Sequence, residues 1–124
     1  MVVHFADGRT VKGFSHDFLP TRSTFQLILA GSDQTMEIRL EDLKAVFFVK
    51  RFDTDGVDRP RDDIERFGLG PKVKVRFLDG ETLYGFSASY SPDRKAFTVV
   101  PGDPDSNSQR VVVVTEATES VEYV

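Results

Sequence analysis

Ser15-His16-Asp17 places the three side chains of a hydrolytic triad next to one another. A working triad needs its nucleophile, base and orienting acid to converge through hydrogen bonds. Consecutive strand residues point to opposite faces, so this run cannot converge on a strand. There are two histidines, His4 and His16. A metal centre needs several ligands closing on one point, and no carboxylates accompany either histidine at such a spacing. His4 is expected on the polar face of the first strand. Asp53-Thr54-Asp55-Gly56-Val57-Asp58 suggests calcium. The calcium loop wants oxygen ligands at its first, third and fifth places, glycine at the sixth and glutamate at the twelfth. Here glycine stands fourth and Ile64 twelfth, which leaves a polar turn. Pro101 to Ser108 reads as a turn-rich hairpin connection. Without cysteine, thiolate and disulfide chemistry are excluded. No catalytic residue, metal or cofactor is expected, and the chain does not read as an enzyme.

Arg22 and Arg94 remain as candidate ligand-binding residues. Each follows a Pro-x turn. One reading is local: a guanidinium can tie its loop down by donating to carbonyls or to Asp17. The other is a pair of arginines that grips a carboxylate or phosphate, which their forked donors suit.

Their positions are related by a duplication. Residues 3–27 over residues 75–99 give eleven identities in twenty-five positions at an offset of 72. Asp7-Gly8 falls on Asp79-Gly80, Gly13-Phe14-Ser15 on Gly85-Phe86-Ser87, and Pro20, Arg22 and Phe25 on Pro92, Arg94 and Phe97. Beyond a three-residue insertion the apolar phase continues, with Met36, Ile38 and Val46 over Val111, Val113 and Val121.

Each copy reads as five short strands. Lys72 to Phe77 alternates polar and apolar residues, the period of a half-buried strand. Asp-Gly marks a hairpin turn. The second strand is expected over Thr10 to about Phe18, bent at Gly13 as its partner is bent at Gly85. Phe25 to Leu29 and Met36 to Leu40 follow. Leu40 to Leu43 reads as a 3₁₀ turn, and Ala45 to Val49 as the fifth strand. The expected organisation is a first unit over 1–50, a linker over 51–71 and a second unit over 72–124. Within the linker, Arg61 to Phe67 could form a short helix.

The 124 residues, 40% hydrophobic and 29% charged with net charge −4, describe a folded protein without a general basic footprint. No apolar run approaches the roughly 20 residues of a membrane helix, and no leader pattern opens the chain. A cytoplasmic location is expected.

The opening of each copy resembles the first motif of the Sm-like family of small SH3-like barrels, which includes a bacterial RNA chaperone. The motif reads Val3-x-Phe5-x-Asp7-Gly8-x-Thr10-x-x-Gly13-Phe14, and again from Val75 to Phe86. The whole chain also looks like a tandem bacterial domain of unknown function. The resemblance implies an all-β protein of two tandem five-stranded barrels. It also implies pairing of strand five of one barrel with strand four of the next. The copies differ at matching places. Glu37 and Arg39 become Val112 and Val114, while Val2 aligns with Lys74 and Phe47 with Glu122. Val2, Phe47, Val112 and Val114 are therefore the expected inter-barrel interface.

The family's base-gripping loop is replaced by Thr21-Arg22-Ser23-Thr24 and Asp93-Arg94-Lys95-Ala96. Its basic turn is replaced by Glu41-Asp42 and Glu116. Acidic turns repel phosphate, and RNA affinity comes largely from cationic contacts. The expected function is a non-catalytic interaction module that binds a protein or small ligand through the barrel loops, or associates through strand edges. RNA binding is the alternative.

Overall fold

Gly8 (φ 98°) and Gly80 (φ 93°) take the left-handed conformation that tight turns require and that glycine enters without steric cost. Asp7 and Asp79 brace these turns, each accepting the backbone N–H two residues on, from Arg9 at 3.0 Å and Glu81 at 2.9 Å. The computed structural model describes residues 1–53, 63, 65–66 and 68–124. The first half contains β1 (Val2–Phe5), β2 (Thr10–Phe14), β3 (Thr24–Leu29), β4 (Thr35–Arg39) and β5 (Leu43–Val49). The second contains β6 (Lys72–Phe77), β7 (Thr82–Phe86), β8 (Ala96–Pro101), β9 (Ser108–Val114) and β10 (Thr118–Tyr123). A 3₁₀ turn precedes the last strand of each half, at Leu40–Asp42 and Thr115–Ala117.

The protein is all-β, one ten-stranded antiparallel sheet in the order β10-β6-β7-β8-β9-β5-β1-β2-β3-β4. The first half contributes β5-β1-β2-β3-β4, and the second repeats that order as β10-β6-β7-β8-β9. Pairing of β5 with β9 joins the two, with Val46 opposite Val112 and Phe47 opposite Val111. The outer edges are β4 and β10, whose Glu37, Arg39, Glu119 and Glu122 are exposed.

Gly13 and Gly85 stand where β2 begins to pair with β3 and β7 with β8. A Cβ at Gly13 would lie 2.2 Å from the Ile28 carbonyl oxygen, and one at Gly85 would lie 2.4 Å from that of Val100. Only glycine permits strands to approach this closely at the bend. The expected second strand was too long: β2 ends at Phe14, and Ser15-His16-Asp17 lies in the following turn.

Beside the join, β1, most of β5 and the Val111–Val114 part of β9 are buried on both faces. One buried cluster combines Val3, Phe5, Phe25 and Ile38 with Val112 and Val114 from the second half. The other combines Val73, Val75, Phe97 and Val111 with Val2 and Phe47 from the first. Alternate residues of β9 thus face different clusters, which explains the unbroken Val111-Val112-Val113-Val114 run. His4 is consequently buried, its ring 4.4 Å from that of Phe47, and not on a polar face as its place in the sequence implied. Aromatic packing recurs at aligned positions: Phe18 meets Phe25 at 4.9 Å and Tyr90 meets Phe97 at 4.8 Å, both edge to face.

Candidate functional site: the seam between the halves

Two matched turns present the arginines. Arg22 N–H donates to the Leu19 carbonyl and Arg94 N–H to that of Ser91, each at 3.1 Å. The residue after each arginine is fastened to the 3₁₀ region of its own half. Leu40 N–H donates to the Ser23 carbonyl at 2.8 Å, and Thr115 N–H to that of Lys95 at 2.9 Å. Thr115 Oγ1 also donates to the Arg94 carbonyl at 2.6 Å. With these loops fixed, the β5–β9 join brings Arg22 and Arg94 onto one cleft of about 420 Å³.

Lys95 is a third cation on this cleft, with hydroxyls from Thr21, Ser23, Ser89 and Thr98, and no carboxylate lines it. Arg22 donates to the Asp17 carbonyl at 3.3 Å, so part of its role is local. The Asp17 carboxyl is held below its ordinary value, chiefly by the Gln26 backbone N–H and then by the Ser15 hydroxyl, with desolvation opposing them and the charge of Arg22 adding a smaller effect in the same direction. Among the described residues, the side chains of Arg94 and Lys95 have no ion-pair partner. Three cations without a lining carboxylate attract an anion, and guanidinium forks bind carboxylate or phosphate with two parallel bonds.

The other candidates take structural places. Ser15 Oγ donates to Asp17 Oδ1 at 2.9 Å, while His16 is exposed, so these three side chains form a turn and not a triad. Among the described residues no group of three or more His, Asp or Glu could hold a metal. Most of the Asp53 to Asp58 run and of the Arg61 to Phe67 segment lies outside the described residues. The Pro101 to Ser108 connection anchors the end of β5: Asn107 accepts from Arg51 N–H and donates to the Arg51 carbonyl, both at 2.9 Å. Val112 and Val114 lie in the first buried cluster, Val2 and Phe47 in the second.

Sequence reasoning overlooked Lys95, although the copies differ there, with Ser23 in the first. It also overlooked Lys44, which is buried and reaches from β5 to Asp79 at 2.6 Å and to Glu81. The signal was a reversal of charge, since Glu119 aligns with Lys44.

An all-β sheet with a cationic cleft at its central seam defines the class. The chain belongs to the family of unknown function DUF6982, whose model matches residues 1–124. No curated protein and no solved structure matches it. No helix among the described residues is long and apolar enough to cross a membrane.

Proposed function

We propose that this chain is a non-catalytic bacterial cytoplasmic binding module. It consists of two tandem Sm-like barrels, over 1–50 and 72–124, joined by the linker 51–71. Its ligand is an anion, a carboxylate or phosphate group, held between Arg22 and Arg94. The observation that carries this reading is that two arginines 72 residues apart line one cleft with Lys95 and no acid. The barrel reading is supported by the identical strand order of the halves and by Gly13 and Gly85 at matched bends. The non-catalytic reading is supported by the Ser15–Asp17 bond, which leaves His16 outside it.

Titrating the ¹⁵N-labelled chain with inorganic phosphate and with succinate tests the proposal. Saturable shifts centred on Arg22, Arg94 and Lys95 are expected. Shifts scattered over the surface, or none, would count against it. A parallel arm with poly-U at about 150 mM salt addresses RNA, whose binding weakens steeply with salt. Submicromolar poly-U affinity would favour the nucleic-acid alternative.

A further inference from the structure

The cationic cleft continues beyond the arginines. It shares Ser23, Leu40 and Lys95 with a second cavity of about 210 Å³. That cavity shares Glu41 and Glu116 with a third, of about 180 Å³, which reaches Leu78 and Asp79. The three cavities adjoin through these shared residues, and carboxylates enter only beyond the first, where Arg39 and Lys44 also stand, paired with Glu41 and Asp79. Arg22, Arg94 and Lys95 stand at one end, with Glu41 and Glu116 beyond them.

The duplication sets this arrangement. Each half contributes an arginine from its turn and a glutamate from its 3₁₀ region, tied together by the Ser23–Leu40 and Lys95–Thr115 backbone bonds. A hydrogen bond spans about 3 Å and each flanking residue adds about 3.4 Å. The backbones of the arginine and the glutamate of each half are therefore at most about 10 Å apart, about three residues of extended chain. Between them Leu40 and Val114 provide an apolar wall. Glu41 is paired with Arg39 across its own turn. Glu116, like Arg94 and Lys95, has no ion-pair partner among the described residues. Unpartnered charges of opposite sign on adjoining cavities suit a ligand that carries both.

Resting on the anion site proposed above, we propose that the adjoining cavities bind an extended peptide ending in a free carboxylate, with a lysine or arginine about two to four positions upstream. The terminal carboxylate sits between Arg22 and Arg94, and the cationic side chain meets Glu116. A nucleic acid strand is a poor occupant, because its phosphates would run past Glu41, Glu116 and Asp79. A small anion fills only the basic end.

The test passes a degenerate mixture of hexapeptides with free carboxylates over the immobilised full chain and sequences what is retained. A matched mixture of C-terminal amides is the control. The expected result is retention of the free-acid mixture, with Lys and Arg enriched two to four places from the end. Amidation should weaken binding of an enriched peptide by roughly tenfold or more, the effect of losing a charge-assisted contact. Glu116→Lys should reverse the preference at the upstream position, from Lys and Arg to Asp and Glu. Arg94→Gln should abolish the discrimination between acid and amide. Free acids retained with no upstream preference would overturn the peptide proposal while leaving the anion site intact. If neither peptides nor inorganic phosphate bind, both fail. Poly-U binding that survives Glu116→Lys unchanged and outcompetes the peptides would also overturn it.

Discussion

Lys44 Nζ lies 2.6 Å from Asp79 Oδ2, joining β5 of the first half to the β6–β7 turn of the second. Lys44 also pairs with Glu81, and its ammonium stands 4.7 Å from the centre of the Phe77 ring. Its direction comes from a β-bulge. Ala45 pairs with His4 and Leu43 with Phe5, so Lys44 is the extra residue of β5. Glu119 is the extra residue at the aligned place in β10, where it pairs with Arg76 at 3.1 Å. One backbone device thus makes a tie between halves in one copy and a local ion pair in the other.

Lys44→Met keeps most of the stem and removes the charge. Asp79 and Glu81 are about half exposed, so solvent replaces part of what they lose. Stability should fall by about 1 kcal/mol, lowering the melting temperature by about 4 °C. Lys44→Glu brings three carboxylates together and should destabilise several times more. Thermal melts of both variants check this, and an unchanged Lys44→Glu melt would remove the tie from the account.

The same contact predicts a response to acid. Burial pushes the Asp79 carboxyl up, but the Lys44 hydrogen bond, the Glu81 backbone N–H and the Lys44 charge together hold it below its ordinary value of 3.8. A carboxyl depressed in the folded state adds stability that is fully present above its unfolded pKa. That stability is lost as pH falls through the folded value. Asp79→Asn should therefore be less stable than the parent at neutral pH, and the gap should close below pH of about 4. Urea unfolding at a series of pH values measures the gap.

Gly13→Ala and Gly85→Ala each put a Cβ into the neighbouring strand's carbonyl oxygen. Each should lose about 3 kcal/mol or more, because the strand and not a flexible side chain must move. Gly31→Ala meets no atom within 4 Å and strains only a φ of 76°, so it should lose about 1 kcal/mol. Chemical denaturation of the three variants should rank them in that order.

Residues 1–52 and 70–124, expressed apart, should not melt cooperatively. Each buried cluster borrows residues from the other half, and separation uncovers Val112 and Val114 on one piece and Val2 and Phe47 on the other. Each such side chain contributes roughly 1.5–3 kcal/mol when removed from water. Differential scanning calorimetry of the pieces decides this, and two transitions matching those of the full chain would contradict it. In the full chain, Val112→Lys with Val114→Glu should lower stability by several kcal/mol for the same reason.

The turns, the bends and most strand positions were legible in the sequence, because Asp-Gly, the strand glycines and two-residue alternation each have a local cause. His4 was misplaced because alternation assumes one wet face, whereas β1 lies between two clusters. The end of β2 was misplaced because Phe18, which extended the apolar pattern, packs on Phe25 from a loop. The direction of Lys44 was hidden because a bulge shifts the strand phase by one residue, and the charge reversal against Glu119 marked the position without showing its partner. Arg22 and Arg94 stood out from their matched turns, but that they share a cleft with Lys95 follows from the β5–β9 register.

A double-mutant cycle on phosphate binding bears most directly on the anion site. Affinities are measured by calorimetry for the parent chain, Arg22→Gln, Arg94→Gln and the double variant, with melting curves showing that all four remain folded. If both guanidiniums hold one anion, each single change should weaken binding by roughly tenfold, and the double change by clearly less than the product of the two. Phosphate affinity unchanged by either substitution, or losses that simply multiply, would contradict a site shared between the two arginines.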